Sequence, residues 1–264
     1  MRLFLINVAY AVGPVVVAIV LWEWAAVSNP SLYFPPPSRI WENSIELFFS
    51  GGASTFLLTT AITVDAFATI YRTLVGFALA VVIGVVFGTV IGRNLVIRDL
   101  TNPAIEFLRS IPATATLPLF IILLGGGDGM RIAFIAYTAM WYVILNTAMG
   151  VSVIHRSMLD MGQTFRVPSI RAFFRIILPA AMPNVFAGMR IALTVALLAA
   201  IVSELLLSTN GIGYQLLMAQ AQFSMLDLWS WMVFLALLGF VLNTAMEVLE
   251  RSVLKWDRLA RASL

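Results

Sequence analysis

Six residues within the apolar stretches of this chain have side chains or ring geometry suited to a solute path. Glu204 lies deep in one such stretch, where a carboxylate is costly and is kept for a task or for a partner. Thr138, Tyr142 and Asn146 are spaced four apart on another. On a helix they share one face and either line a polar path or bond to neighbouring helices. Pro112 and Pro118 interrupt a third stretch, marking either a broken helix beside a path or a packing kink. Arg72 and Arg109 fall near the ends of apolar stretches, where the default is a head that snorkels to water. With no cysteine and one histidine, His155, thiol chemistry and multi-histidine metal sites are excluded. "GGGDGM" (Gly125–Met130) is glycine-rich but has no lysine, so it is no phosphate loop.

The elements that position these residues follow from composition. Of 264 residues, 61% are hydrophobic and 11% charged, against about 25% charged in a soluble domain. The mean hydropathy is +0.97. We therefore expect an all-α integral membrane protein, because a bilayer leaves no partner for unpaired backbone groups. About six spans of roughly 20 residues can be read, over Val8–Val27, Ile70–Ile91, Ala104–Leu124, Ile132–Ile154, Val185–Leu207 and Trp229–Leu249. The first is too long for a secretory h-region and reads as an uncleaved span with Trp22 and Trp24 near its outer interface. An N-in, C-in orientation puts Arg2, Arg93, Arg98, Arg156, Arg166, Arg171, Arg175, Arg251, Lys255, Arg258 and Arg261 inside. Only Arg39, Arg72 and Arg131 then fall outside. The net charge of +3 thus reports topology, not a nucleic-acid partner. In the second span Gly76, Ala80, Gly84, Gly88 and Gly92 recur every four residues, a face that another helix can approach closely. "YFPPPS" reads as extended, and "RIWENSIELFF" after it as a short amphipathic helix at the outer interface.

One segment does not belong to the lipid. "RVPSIRAFFRIILPAAMP" (Arg166–Pro183) holds three arginines and three prolines between two apolar stretches. Pro168 should break the preceding helix and Ser169 cap a new one. Ile170, Phe173, Phe174, Ile177 and Leu178 form an apolar stripe, with Arg171 and Arg175 on another face and Pro179 as a stop. Such a stretch is either a surface-lying connector or a docking element for a cytoplasmic partner.

Here the chain resembles a known family, the binding-protein-dependent (type I) ABC importer permeases. Ile176, Leu178 and Pro179 match the I-x-L-P end of that family's cytoplasmic signature loop. Asp160-Met161-Gly162 occupies its E-A-A and Arg166 its glycine. "FPPPSRIW", "IYRTLVGFALA", "NPAIEFLRSIPATATLPLFIILLGGGDGMRI", "LPAAMPNVFAGMRIALTVALLAAIVSELL" and "NGIGYQL" resemble the subfamily that imports sulfonates, taurine, nitrate or bicarbonate. The resemblance runs from about Pro35 to Trp256.

It implies one permease domain over 1–264, with a core over about 60–250 and a coupling loop over about 156–183. It implies a bacterial cytoplasmic (inner) membrane location and a small anion as solute. A separate cytoplasmic ATPase dimer would hold ATP and Mg, and this chain would bind no cofactor. A second permease subunit, in a homodimer or a heterodimer, and an outer solute-binding protein would complete the machine. Asp160 to Pro168 would form the core of the coupling helix. Phe165 and Val167 would be apolar knobs, Asp160 and Arg166 polar anchors, and the stripe would hold the loop against the permease. Asp160 shortens the usual glutamate, Met161 and Gly162 replace alanines, and Arg166 stands where glycine permits a left-handed turn. The alternatives are an ion-coupled secondary transporter, a membrane scaffold whose basic loop binds partners, or an importer of a vitamin precursor or aromatic acid.

Overall fold

A computed structural model of the chain describes residues 2–52 and 57–255. Arg258, Arg261 and the end of the resemblance at Trp256 lie outside the described residues. The expected all-helical fold is what the chain adopts. In order, α1 is Arg2–Ser28, α2 Pro37–Phe49, α3 Phe67–Arg93, α4 Leu95–Ser110, α5 Ala113–Leu124 and α6 Asp128–Ser152. Then come α7 Arg156–Thr164, α8 Ser169–Ala172, α9 Leu178–Leu205, α10 Ile212–Ala221 and α11 Met225–Val253. Wider π-helical turns precede α3 (Ala61–Ala66) and α9 (Phe173–Ile177).

Among the described residues four stretches are long and apolar enough to cross a membrane: Ala61–Arg93, Asp128–Ser152, Ser169–Leu205 and Met225–Val253. α1 contains the expected first span. The span expected over Ala104–Leu124 is instead α4 and α5, bent by 92°. Pro112 makes the break. It disfavours helical backbone at Ile111, whose ψ is 121°, and it caps α5 itself in an extended conformation. Pro118 stays inside α5.

Three other expectations need correction. Pro179 does not stop a helix, because Ser169–Leu205 is continuous over 37 residues. Proline removes one N–H and crowds the carbonyl four residues back, and the π-helical turn just ahead of it relaxes that crowding. Ser169 does not cap the new helix; Pro168 holds the cap position with extended backbone and offers no side-chain bond. Pro37 does not extend the proline run. It opens α2, since the first helical turn needs no N–H from it.

The chain forms two compact units. One comprises Met1–Phe67 with Asn210–Ala236. Its core is aromatic: Phe48, Trp231 and Phe234 meet at 4.9–5.8 Å, and Trp22, Phe34 and Trp229 at 5.0–5.6 Å. Glu23 accepts from the Ser38 amide at 3.0 Å, so an acidic group sits at the positive end of α2. Buried Asp65 accepts from the Gly211 amide at 2.9 Å and from Gln215 at 2.8 Å, tying the first π-helical turn to α10.

The other unit comprises Ala68–Thr209 with Leu237–Leu264. Here α6 packs against both α3 and α9. The small-residue face of α3 does what its spacing predicts. A Cβ on Gly84 would lie 2.4 Å from Val143, and one on Gly88 would lie 2.6 Å from the Ile144 carbonyl. From the α9 side, a Cβ on Gly188 would stand 2.7 Å from Asn146. Ala80, Phe134, Ile135, Val143, Ala192 and Ala196 fill the core between these helices.

Candidate functional site

The second unit carries three features built from the residues singled out above. The first is a group of four charges, of which Arg72, Arg131 and Glu204 are buried and Asp128 is exposed. Glu204, near the end of α9, is fully buried and Arg72 of α3 is 2% exposed. Arg72 Nη1 donates to Glu204 Oε1 at 2.7 Å, and Thr69 Oγ1 donates to Glu204 Oε2 at 2.8 Å. Arg72 Nε donates to Asp128 Oδ1 at 2.8 Å. Arg131 Nη1 reaches the same oxygen at 3.2 Å, and its Nη2 donates to the Leu207 carbonyl at 2.7 Å. Leu207 has φ +59°, so the guanidinium also holds a left-handed turn after α9 in place.

Two cations face two anions in this group, which is the condition for keeping charge out of water. Glu204 therefore sits in an ion pair. Arg72 does not snorkel: two carboxylates within bonding distance replace the water its head would otherwise seek. The partner role of Asp128, Thr69 and Arg131 escaped the sequence reading. The usable signal was the shortage of partners for charges near span ends, which should be matched by sign.

The second feature lies at the α4–α5 break. A cavity of about 180 Å³ is lined by Arg109, Pro112, Tyr137, Thr138, Trp141 and Tyr142, among others. It unites Thr138, Tyr142 and Pro112 with Arg109, whose guanidinium lies 5.9 Å from the Tyr142 ring centre. Asn146 stands apart from the cavity lining. It donates to the Tyr142 carbonyl at 2.8 Å and packs beside Gly188. Glu204 and Pro118 are not part of the lining either.

The third feature is the loop around α7. α7 ends at Thr164, and the Val167 amide then donates to the Gly162 carbonyl at 3.0 Å. This six-to-one bond needs a left-handed residue just beyond the helix, and that residue is Arg166, with φ +48°. The position assigned to a glycine therefore has glycine's backbone but an arginine side chain. Replacing Arg166 by glycine should stabilise the loop by about 1 kcal/mol. Slower amide exchange at Val167 in Arg166→Gly is the expected reading, and faster exchange would contradict it.

Gly162 is buried against Ile176; a Cβ there would lie 3.0 Å from Ile176 Cδ1. Val167 is half-buried and lines a small gap with Arg93, Gly162 and Ile176. Asp160 and Pro168 are exposed, and Leu178 and Pro179 half-buried at the start of α9. Of the apolar stripe expected to hold the loop, Ile177 is 1% exposed and Phe173 and Leu178 are half-buried. Ile170 and Phe174 are 77% and 61% exposed. The π-helical turn explains this. It adds residues per turn over Phe173–Ile177 and takes the stripe out of a 3.6-residue register, bringing Ile176 inward beside Ile177. Phe165, 74% exposed, stands free at the end of α7.

The chain matches the family described as binding-protein-dependent transport system inner membrane component over residues 80–255. It is 27% identical to the nitrate import permease protein NrtB of Synechocystis sp., over 90% of this chain and 87% of that one. It is 31% identical to the putative aliphatic sulfonates transport permease protein SsuC of Bacillus subtilis, over 71% of this chain and 68% of that one. In fold it is similar to a chain of the inward-facing MetNI methionine ABC transporter. There the TM-score is 0.62 at 16% identity, covering 71% of this chain and 93% of the other.

Proposed function

The chain belongs to the family of binding-protein-dependent transport system inner membrane components, and from that premise we propose that it forms the membrane path of an ATP-driven importer for a small anion. As a permease subunit it has no ATPase site. ATP and Mg are held by an ATPase dimer at the cytoplasmic face, and this chain binds no cofactor. A second permease subunit completes the path, and a solute-binding protein delivers the solute from the other side. Both termini and the α7 loop face the cytoplasm, in keeping with Arg93, Arg98, Arg156, Arg166, Arg171 and Arg175 lying towards one set of helix ends. The anion class is supported by relatives named for nitrate and for aliphatic sulfonates.

The observation that carries the reading is the short exposed α7, which interrupts the membrane helices and ends on the bare ring of Phe165. An apolar ring in water contributes most when a partner covers it. In this reading it seats in a groove of the ATPase, with Asp160 and Arg166 as flanking polar contacts. ATP-driven closure of the ATPase dimer then shifts the permease between two states.

Co-purification tests the docking. Co-expressed with its cognate ATPase, Phe165→Glu should lower recovery of the ATPase at least about tenfold, because a buried carboxylate without a partner costs more than about 1.4 kcal/mol. The permease itself should elute unchanged, since Phe165 packs against little else. ATPase recovery equal to that of the unmodified chain would remove α7 as the docking element. ATP-dependent uptake of nitrate or methanesulfonate by liposomes holding the full complex tests the solute class.

A further inference from the structure

The cavity at the α4–α5 break has the composition of an anion site, and no carboxylate lines it. Its one charged group is Arg109, which makes no ion pair among the described residues. Two phenols, Tyr137 and Tyr142, and one indole, Trp141, form its walls with Thr138. Behind them aromatic rings meet in series: Phe120 tilted against Tyr137 at 5.4 Å, and Tyr137 edge-on to Trp141 at 5.7 Å. A stiff wall of this kind holds a donor set in place at low entropy cost. The Arg109 guanidinium, on a residue that is otherwise exposed, lies 5.9 Å from the Tyr142 ring centre, near the outer limit of a cation–π contact.

The break in the helix adds a third contribution. α5 begins at Ala113 on the cavity wall, and its cap residue Pro112 supplies no side-chain acceptor. The Ala115 N–H is taken by the Pro112 carbonyl at 2.9 Å, whereas the N–H groups of Ala113 and Thr114 have no partner within the helix, and the positive end of the helix dipole lies there. At about 180 Å³, the cavity is smaller than the roughly 300–1,000 Å³ of sites for drug-sized ligands and ample for a small ion with some of its water.

We propose that this cavity is a recognition site for a small oxyanion, of the nitrate or alkylsulfonate kind, within the membrane part of the chain. Arg109 is its charged donor, and the Tyr137 and Tyr142 hydroxyls and the start of α5 are its neutral donors. The proposal rests on the importer reading for its choice of probe but assigns selectivity to residues of this chain. Trp141 shapes the wall and reports on occupancy. A lysine at 109 keeps the charge but loses the planar two-donor fork that matches an oxyanion.

The test uses the permease with its own ATPase in lipid nanodiscs, without the solute-binding protein. Sodium nitrate and sodium methanesulfonate are titrated at constant ionic strength while tryptophan emission is read. A saturable change that disappears in Trp141→Phe is the expected result. Its midpoint should rise at least about tenfold in Arg109→Gln, as for loss of a charged hydrogen-bond donor, and rise less in Arg109→Lys. A midpoint in Arg109→Gln within twofold of the unmodified complex would overturn the site. So would the lack of any saturable change in the unmodified complex. Uptake by the full complex, measured in parallel, separates the two readings. Nitrate or methanesulfonate uptake without an Arg109-dependent signal removes this site and leaves the anion importer. ATPase stimulation by the binding protein with uptake of neither anion removes both.

Discussion

Glu204→Leu destabilises the folded chain by about 3–5 kcal/mol, the range for removing one member of a buried ion pair. The loss comes less from the vanished bond than from what remains. Arg72, 2% exposed, loses its buried counter-charge, and the more exposed Asp128 must then balance Arg72 and Arg131 together. Two buried cations then share one carboxylate that is itself half exposed, so buried positive charge is left without a buried counter-charge. The double variant Arg72→Met with Glu204→Leu restores the balance, because Asp128 and Arg131 remain as a pair. It should recover most of the loss, since packed apolar side chains often replace buried ion pairs at little cost. Unfolding midpoints in detergent for the two single variants and the double form the cycle that measures this. A Glu204→Leu midpoint equal to the unmodified protein's would contradict the assignment. So would a double variant no more stable than the single.

The second large effect belongs to α3. Gly88→Leu should cost about 3 kcal/mol, at the upper end for overpacking a core. A helix gains up to about 1 kcal/mol when glycine is replaced, so the sign depends on space. Here the new Cβ alone would stand 2.6 Å from both the Ile144 carbonyl oxygen and Thr147 Cβ. A backbone carbonyl cannot turn aside, so α3 and α6 must separate along the whole seam. Gly13 in α1 provides the contrast, because nothing lies within 4 Å of a Cβ there. Gly13→Ala should therefore gain a few tenths to about 1 kcal/mol. Thermal unfolding followed by size exclusion reads both. Equal midpoints for Gly88→Leu and the unmodified chain would mean that the seam is loose.

The parts legible in the sequence were those governed by periodicity and by sign. Gly76, Gly84, Gly88 and Gly92 recur at one helical spacing, and that alone put a neighbouring helix on their face. The basic residues give a side preference that needs no structure to state. The expectations that failed depended on local backbone or on distant partners. Pro179 reads as a stop, but the π-helical turn over Phe173–Ile177 carries the helix through it. Ile170 and Phe174 read as an anchoring stripe only while a 3.6-residue register is assumed. Arg72 reads as a snorkelling residue because its partners lie 56 and 132 positions away. The cavity beside Arg109 was out of reach for the same reason: α4, α5 and α6 must first fold before a guanidinium meets the Tyr142 ring.

The unbroken helix from Ser169 to Leu205 has a mechanical meaning. Its 37 residues measure about 55 Å, whereas the hydrocarbon core of a bilayer is about 30 Å thick. In the importer reading it would serve as a lever rather than a tether. One end is fixed to the loop that bears Phe165, Val195 lies partway along on the cavity wall, and Glu204 closes the far end. Its places to bend lie near the Ser169 end, at the π-helical turn over Phe173–Ile177 and at Pro179 and Pro183, and no proline or π-turn interrupts it from Val195 to Glu204. In the importer reading, a tilt of the part beyond Pro183 would move Val195 and strain the Glu204 ion pair in the same stroke, joining the cavity wall to the far latch.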